Sequence, residues 1–143
     1  MASAGDILTQ KGGHVYAVAP QASVFEALSL LAQHNVGALM VVDGGRLVGI
    51  FSERDYARKV VLKGKFSKDT PVREIMTSDP VVIDRATEVP RCMELMTARQ
   101  VRHLPVVEGG KLEGVVSIGD VVKALLEDQQ DSIGHLERYI RGR

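Results

Sequence analysis

Residues 36–55 read VGALMVVDGGRLVGIFSERD, and residues 101–120 read VRHLPVVEGGKLEGVVSIGD. Each has an apolar run, an acidic residue, a Gly-Gly pair, a basic residue and a second apolar run. Each then closes on Gly-h-h-Ser-x-x-Asp, where h is apolar. Extended outward at an offset of 65, the match pairs residues 15–61 with residues 80–126 without a gap, and 12 of these 47 positions are identical. Other positions exchange one apolar residue for another, as in Val18/Ile83, Leu28/Met93 and Leu31/Met96. Repetition on this scale makes the chain two half-domains of one design, each too small to close a core alone.

Each half reads as β-α-β-β-α. In the first, residues 14–18 are extended and Ser23 opens a helix. The apolar face of that helix, Val24, Ala27, Leu28, Leu31 and Ala32, follows the helical period. Residues 38–43 and 46–51 are apolar strands around Asp-Gly-Gly-Arg, where glycines with positive φ suit a tight hairpin. Ser52 begins a second helix running to about Leu62. The second half repeats the series: an extended stretch at 81–83, a helix at about 88–100, strands at 103–108 and 111–117, and a helix from Ser117. Twenty valines, gathered in the strands, suit a buried sheet. The resulting divisions are an N-terminal segment 1–13, a first motif 14–63, a linker 64–79, a second motif 80–126 and a helical tail 127–143. Leu125, Leu126, Ile133, Leu136 and Ile140 put an apolar stripe on the last helix, with Gly134 as a loosening point. Such a stripe needs a surface to cover it, either its own domain or a second subunit.

The chain has 143 residues, 45% hydrophobic and 25% charged, with 18 basic residues balancing 18 acidic ones. These values exclude a disordered chain, a collagen-like chain and a generally basic nucleic-acid wrapper. A single cysteine, Cys92, excludes an internal disulfide framework and a cysteine-cluster metal site, so no metal is expected for the fold. No apolar run is long enough to span a bilayer, and the first 13 residues lack the pattern of a signal peptide. A cytoplasmic location without membrane attachment is expected.

The polar element that recurs is Ser52-x-x-Asp55 and Ser117-x-x-Asp120, placed where a strand ends and a helix begins. Ser as N-cap with Asp at the third helical position is a capping arrangement. The same geometry serves a ligand. A helix N-terminus offers N–H groups and positive potential to a phosphate, and an Asp one turn in accepts hydrogen bonds from two vicinal ribose hydroxyls.

With these residues in view, the two halves resemble a tandem pair of cystathionine-β-synthase-type (CBS) domains. Carrying the resemblance are residues 35–42, NVGALMVV, with the first Ser-x-x-Asp string, and residues 101–107, VRHLPVV, with the second. The stretch VREIMT at 72–77 resembles the lead-in to a second CBS motif. Residues 51–65, FSERDYARKVVLKGK, make the chain most similar to stand-alone tandem CBS proteins of bacteria and plant organelles. The resemblance implies an α/β fold of two β-α-β-β-α half-domains in a pseudo-twofold disc, dimerised, with an extended C-terminal helix. It also implies two adenosine-nucleotide clefts between the halves. Carried over, the first cleft holds Asp55 on the ribose and Ser52 near the ribose or phosphate. Thr77, Ser78, Pro80 and Val81 border the adenine with Ile50 beneath. Arg102, His103 and Pro105, with Arg54 and Arg58, complete it towards the phosphates. The second cleft holds Ser117, Asp120, Val115, His14, Tyr16, Val36, Gly37 and Ala38.

The two clefts differ in charge. Six basic residues lie between Arg54 and Lys68, against the single acid Asp55. In the second copy Gly119 replaces Arg54, and Gly37-Ala38 occupies the place of Arg102-His103. The Asp55 cleft is expected to be the better phosphate binder. Cys92 aligns with Ala27 on an apolar helix face and reads as a small buried hydrophobe; His34 and His135 lack ligand-spaced partners and read as surface residues. The expected function is a regulatory module that binds AMP first, with ADP, ATP or NAD(H) as alternatives, and relays occupancy to an effector protein. The competing reading is a dimeric interaction scaffold with vestigial clefts. No nucleophile elbow, P-loop or dinucleotide fingerprint supports an enzyme. With three Phe, three Tyr and no Trp, the basic stretch offers little for nucleic-acid stacking.

Overall fold

The computed structural model describes residues 2–141, with side chains as far as Gln130. The tail positions Ile133, Gly134, His135, Leu136 and Ile140 therefore lie outside the described side chains. The chain divides into two compact units. The first is His14–Val81 with Gly109–Glu113; the second gathers the segment ending at Gly13, Val82–Glu108 and the chain from Gly114 onward.

The first unit is built on the expected hairpin. Strands β2 (Ala38–Asp43) and β3 (Arg46–Ser52) pair antiparallel from Ala38↔Ser52 to Asp43↔Arg46, with a register shift between Val41 and Val42. Gly44 and Gly45 make the turn at φ 56° and 81°, values open to glycine at no steric cost. The short strand β1 (Ala17–Val18) adds parallel to β2, and β4 (Thr77–Ser78) adds antiparallel to β3, giving the order β1-β2-β3-β4. Helix α2 (Val24–His34) starts where Ser23 accepts a hydrogen bond from the Glu26 N–H, and it stops at Asn35 in the left-handed conformation. Its face of Val24, Ala27 and Leu31 packs with Leu39, Val41, Phe51, Val60, Val72 and Ile75 in one core.

Two expectations change in this unit. The helix from Ser52 is one short α-helix, α3 (Glu53–Tyr56), followed by a π-helical turn, Ala57–Val61. The Leu62 N–H bonds to the Ala57 carbonyl five residues back. The wider turn keeps Val60 in the core while Lys59 reaches back along the helix to Asp55 and across to the Ile75 carbonyl. The stretch read as a linker is folded rather than spanning. It contains α4 (Val72–Ile75), and its backbone bonds to the start of α2 through Val24 N–H to Thr70 O and Val72 N–H to Ala22 O, both at 2.8 Å.

The second unit carries α5 (Val89–Arg99), β5 (His103–Glu108), the part of β6 (Lys111–Ser117) from Gly114 on, and α6 (Ile118–Arg141), with β5 and β6 forming a two-stranded sheet. The extended stretch near residue 82 is a single parallel bridge, Ile83↔Val106. Helix α1 (Ala4–Lys11) belongs to this unit. Ser3 and Asp6 cap it reciprocally, and Ala4, Ile7 and Leu8 are buried. Its start bonds to the segment before α5: Ala4 N–H to Thr87 O at 2.8 Å, Gly5 N–H to Arg85 O at 2.9 Å, and Val89 N–H to Ala2 O at 3.0 Å. Cys92 is fully buried on α5, and burial pushes its thiol pKa up, as for an inert apolar side chain.

Candidate functional site

Both Ser-x-x-Asp strings form the same local structure. In the first unit the Ser52 N–H donates to Asp55 Oδ2 at 3.0 Å, the Ser52 hydroxyl donates to the same oxygen at 3.1 Å, and the Asp55 N–H donates to Ser52 Oγ at 3.2 Å. In the second, the Ser117 N–H donates to Asp120 Oδ2 at 2.8 Å and the Asp120 N–H to Ser117 Oγ at 3.2 Å. The strand delivers Ser with extended backbone, its side chain caps the helix, and the third helical residue returns a carboxylate. The first helical N–H after each Ser is also bound. Glu53 donates to the Gly37 carbonyl at 3.2 Å, and Ile118 to the Arg102 carbonyl at 2.8 Å.

Around Asp55, which is only 8% exposed, the first unit collects a polar cluster. Oδ1 meets Lys59 Nζ at 3.0 Å and the Thr77 hydroxyl at 3.5 Å, and Lys59 also donates to the Ile75 carbonyl at 3.0 Å. Pairing of Ile50 with Thr77 and of Gly49 with Ser78 brings β4 alongside the strand that ends in Ser52. Ile50, Ser52, Asp55, Thr77 and Ser78 thus lie together within this unit. Arg54 and Arg58 stand exposed on the same helical stretch, while Pro80 and Val81 follow β4 and are partly covered. Gly37 and Ala38 belong to this cluster too, since Gly37 bonds Glu53 and Ala38 pairs with Ser52. Tyr16 stacks on His34, centroids 3.9 Å apart and planes 14° apart, so His34 is an aromatic partner rather than a bare surface residue. His14 is exposed and Val36 partly buried.

Around Asp120 the second unit places Lys11, whose Nζ lies 2.7 Å from Oδ2. Burial raises the Asp120 pKa, but the Lys11 ammonium and the Ser117 N–H outweigh it and hold the carboxyl below the usual Asp range. His103 shares this field. Burial together with the positive charges of Lys11 and Arg102 holds it below the ordinary His value, and Asp120 opposes them. Within its own unit, therefore, Arg102-His103 neighbours Asp120, while the expected grouping with Asp55 runs from one unit to the other. Pro105 is buried in β5, and Val115 and Ser117 end β6 half-buried.

Lys59 and Lys11 are the residues that sequence reasoning missed. Lys59 was legible, because Asp55 and Lys59 are four apart on one helix, yet it was counted only as part of a basic run. Lys11 comes from outside the repeat and no spacing points to it. Among the described residues, no group of three or more His, Cys, Asp or Glu side chains is placed to hold a metal ion. Nor is any described helix long and apolar enough to cross a membrane.

Comparison with known proteins adds to this geometry. The family profile described as CBS domain matches residues 4–62 and again 72–127. A mitochondrial CBS domain-containing protein of Arabidopsis thaliana, CBSX3, is 42% identical over 125 residues, which are 84% of this chain; the chain spans 61% of that relative's length. A protein with CBS domains from Burkholderia ambifaria superposes with a TM-score of 0.86 at 46% identity, covering 90% of this chain and 96% of its own. A CBS domain protein of Pyrobaculum aerophilum, solved with AMP, gives a TM-score of 0.74 at 27% identity over 82% of this chain and 88% of its own. The CBS domain pair of protein MJ0100, solved with 5′-methylthioadenosine and S-adenosylmethionine, gives 0.78 at 25% identity over 90% and 98%.

Proposed function

Because this chain belongs to the CBS domain family, carrying a tandem pair of the domains, we propose that it is a non-catalytic regulatory module for an adenosine nucleotide. The carrying observation is the duplicated carboxylate, Asp55 and Asp120, each fixed at a helix start by its Ser. A fixed carboxylate there accepts the paired hydroxyls of a ribose, and adenine and ribose are common to the ligands bound by the two neighbours solved with compounds. Asp55 with Ser52, Ile50, Thr77, Ser78, Pro80, Val81, Arg54 and Arg58 forms the stronger site in this reading. The exposed arginines, Arg54 and Arg58, favour a ligand with phosphate, AMP before ADP, ATP or NAD(H). Asp120 with Ser117 and Val115 forms the weaker one. Occupancy acts by favouring one state of a homodimer that an effector protein reads, which requires different ligand affinity in the two states.

Calorimetric titration of AMP into the wild type, Asp55→Ala and Asp120→Ala tests this. Asp55→Ala is expected to weaken binding by about tenfold or more, as loss of a charged hydrogen-bonding partner does, with a smaller effect at Asp120. Equal losses overturn the asymmetry. One observation favours the scaffold reading: the capping bonds alone account for both Ser-Asp pairs. If AMP, ADP, ATP, NAD(H) and S-adenosylmethionine all leave the unfolding temperature unchanged, that reading prevails.

A further inference from the structure

The two motif carboxylates are each met by a lysine, but the lysines arrive by different routes. Lys59 sits four residues after Asp55 on the same helical stretch. The matching position after Asp120 is Ala124, buried and without charge. Its place is taken by Lys11, 109 residues away in sequence, at the C-terminal end of α1.

Helix α1 is firmly seated, so Lys11 is no loose tail. Backbone bonds tie its first turn to Arg85 and Thr87. Leu8 lies over Gly114, where a Cβ would come within 2.7 Å of the Leu8 methyl. Gly5 lies against Arg85, where a Cβ would meet both backbone and side chain at 3.1 Å. From this seat the ammonium reaches Oδ2, the oxygen already accepting the Ser117 N–H. A vicinal diol takes both oxygens of a carboxylate, so it competes with Lys11 for Oδ2.

We propose that Lys11 is an intrachain competitor at Asp120: a ribose reaching this carboxylate must displace the lysine of α1, which links its occupancy to a segment outside the repeat. This rests on the reading of Asp120 as a ribose acceptor.

Adenosine is the right probe, since it carries the diol and has no phosphate to attract Lys11. Titrations use the full chain with Asp55→Ala, so that only Asp120 reports, with and without Lys11→Met. Removing the competitor is expected to tighten adenosine binding about three- to tenfold, the span of a half-exposed ion pair. Lys11→Gln should act in the same direction, and Lys11→Arg should not. Lys11 is 36% exposed, so the fold should survive these changes, with thermal unfolding as the control. Unchanged or weaker binding on Lys11→Met overturns the competitor and makes Lys11 neutral or a ligand contact. Adenosine binding to the wild type that vanishes altogether in Asp55→Ala, with or without Lys11, also overturns it while leaving the Asp55 site standing. No binding of any adenine compound to the wild type removes the functional reading, and the competitor with it.

Discussion

His103, the first residue of β5, shows how much a single position owes to distant parts of the chain. Its sequence neighbours suggest a phosphate contact, whereas its neighbours in the fold are Lys11, Arg102 and Asp120. Burial and the two cations keep it neutral in the folded state to lower pH than in the unfolded chain, where its value is 6.5. Between those two values the unfolded state binds more protons, so stability falls as pH drops below about 6.5. The Asp120 pKa is lowered as well, but from a much more acidic starting value. Its depressed value makes it contribute stability above the ordinary Asp range, and that contribution is lost only in stronger acid. The interval from about pH 7 to about pH 5 therefore isolates the histidine. His103→Gln should lose less unfolding temperature over that interval than the wild type does, measured by thermal melts in matched ionic strength. An identical slope would show that the imidazole does not titrate differently on folding.

At the scale of elements, the repeat goes further than residues 15–61 and 80–126. In the first unit, α4 binds the start of α2 through Val72 to Ala22, Arg73 to Pro20 and Val24 to Thr70. In the second, α1 binds the start of α5 through Ala4 to Thr87, Gly5 to Arg85 and Val89 to Ala2. These are the same bonds, and Met76 at Gly49 corresponds to Leu8 at Gly114. The segment before each repeat packs in the unit of the other. Hairpins, main helices and Ser-Asp pairs were legible because they obey a fixed offset and carry strong periodicity. The lead-ins were not, since 4–9 matches 72–77 at a different offset and a four-residue helix has no period to read. The π-helical turn was hidden for a related reason: apolar spacing does not distinguish one added residue when Lys59 has partners on two elements. The two glycines give a graded test. At Gly49 a Cβ would meet the Thr77 carbonyl at 2.8 Å, a backbone atom with little freedom; at Gly114 it would meet the end of the Leu8 side chain at 2.7 Å. Gly49→Ala should cost about 2–3 kcal/mol and Gly114→Ala about 1 kcal/mol, by denaturant unfolding. The reverse order would mean that β4 yields more easily than α1.

For the whole molecule, the proposed regulatory role requires a surface through which a bound state could reach another molecule. Helix α6 carries two contrasting faces. Val121 and Ala124 are buried in its unit, while Ile118, Val122 and Leu126, each four residues apart, line an open hollow with Val122 42% and Leu126 54% exposed. Lys123, Glu127 and Gln130 border that stripe. Residues spaced by four share one side of a helix, and covering two such side chains yields about 1–2 kcal/mol each. In the proposed homodimer, a second copy of the chain would meet this stripe with a stripe of its own, as twofold symmetry requires. Leu126→Glu should therefore shift sedimentation from dimer to monomer at low micromolar concentration while leaving the monomer folded. Leu62, 79% exposed on the first unit, provides the matched control, since Leu62→Glu removes a comparable surface group without touching α6. If Leu62→Glu dissociates the dimer and Leu126→Glu does not, assembly uses the first unit, and a signal from Asp120 would have no direct path through the helix that Asp120 begins.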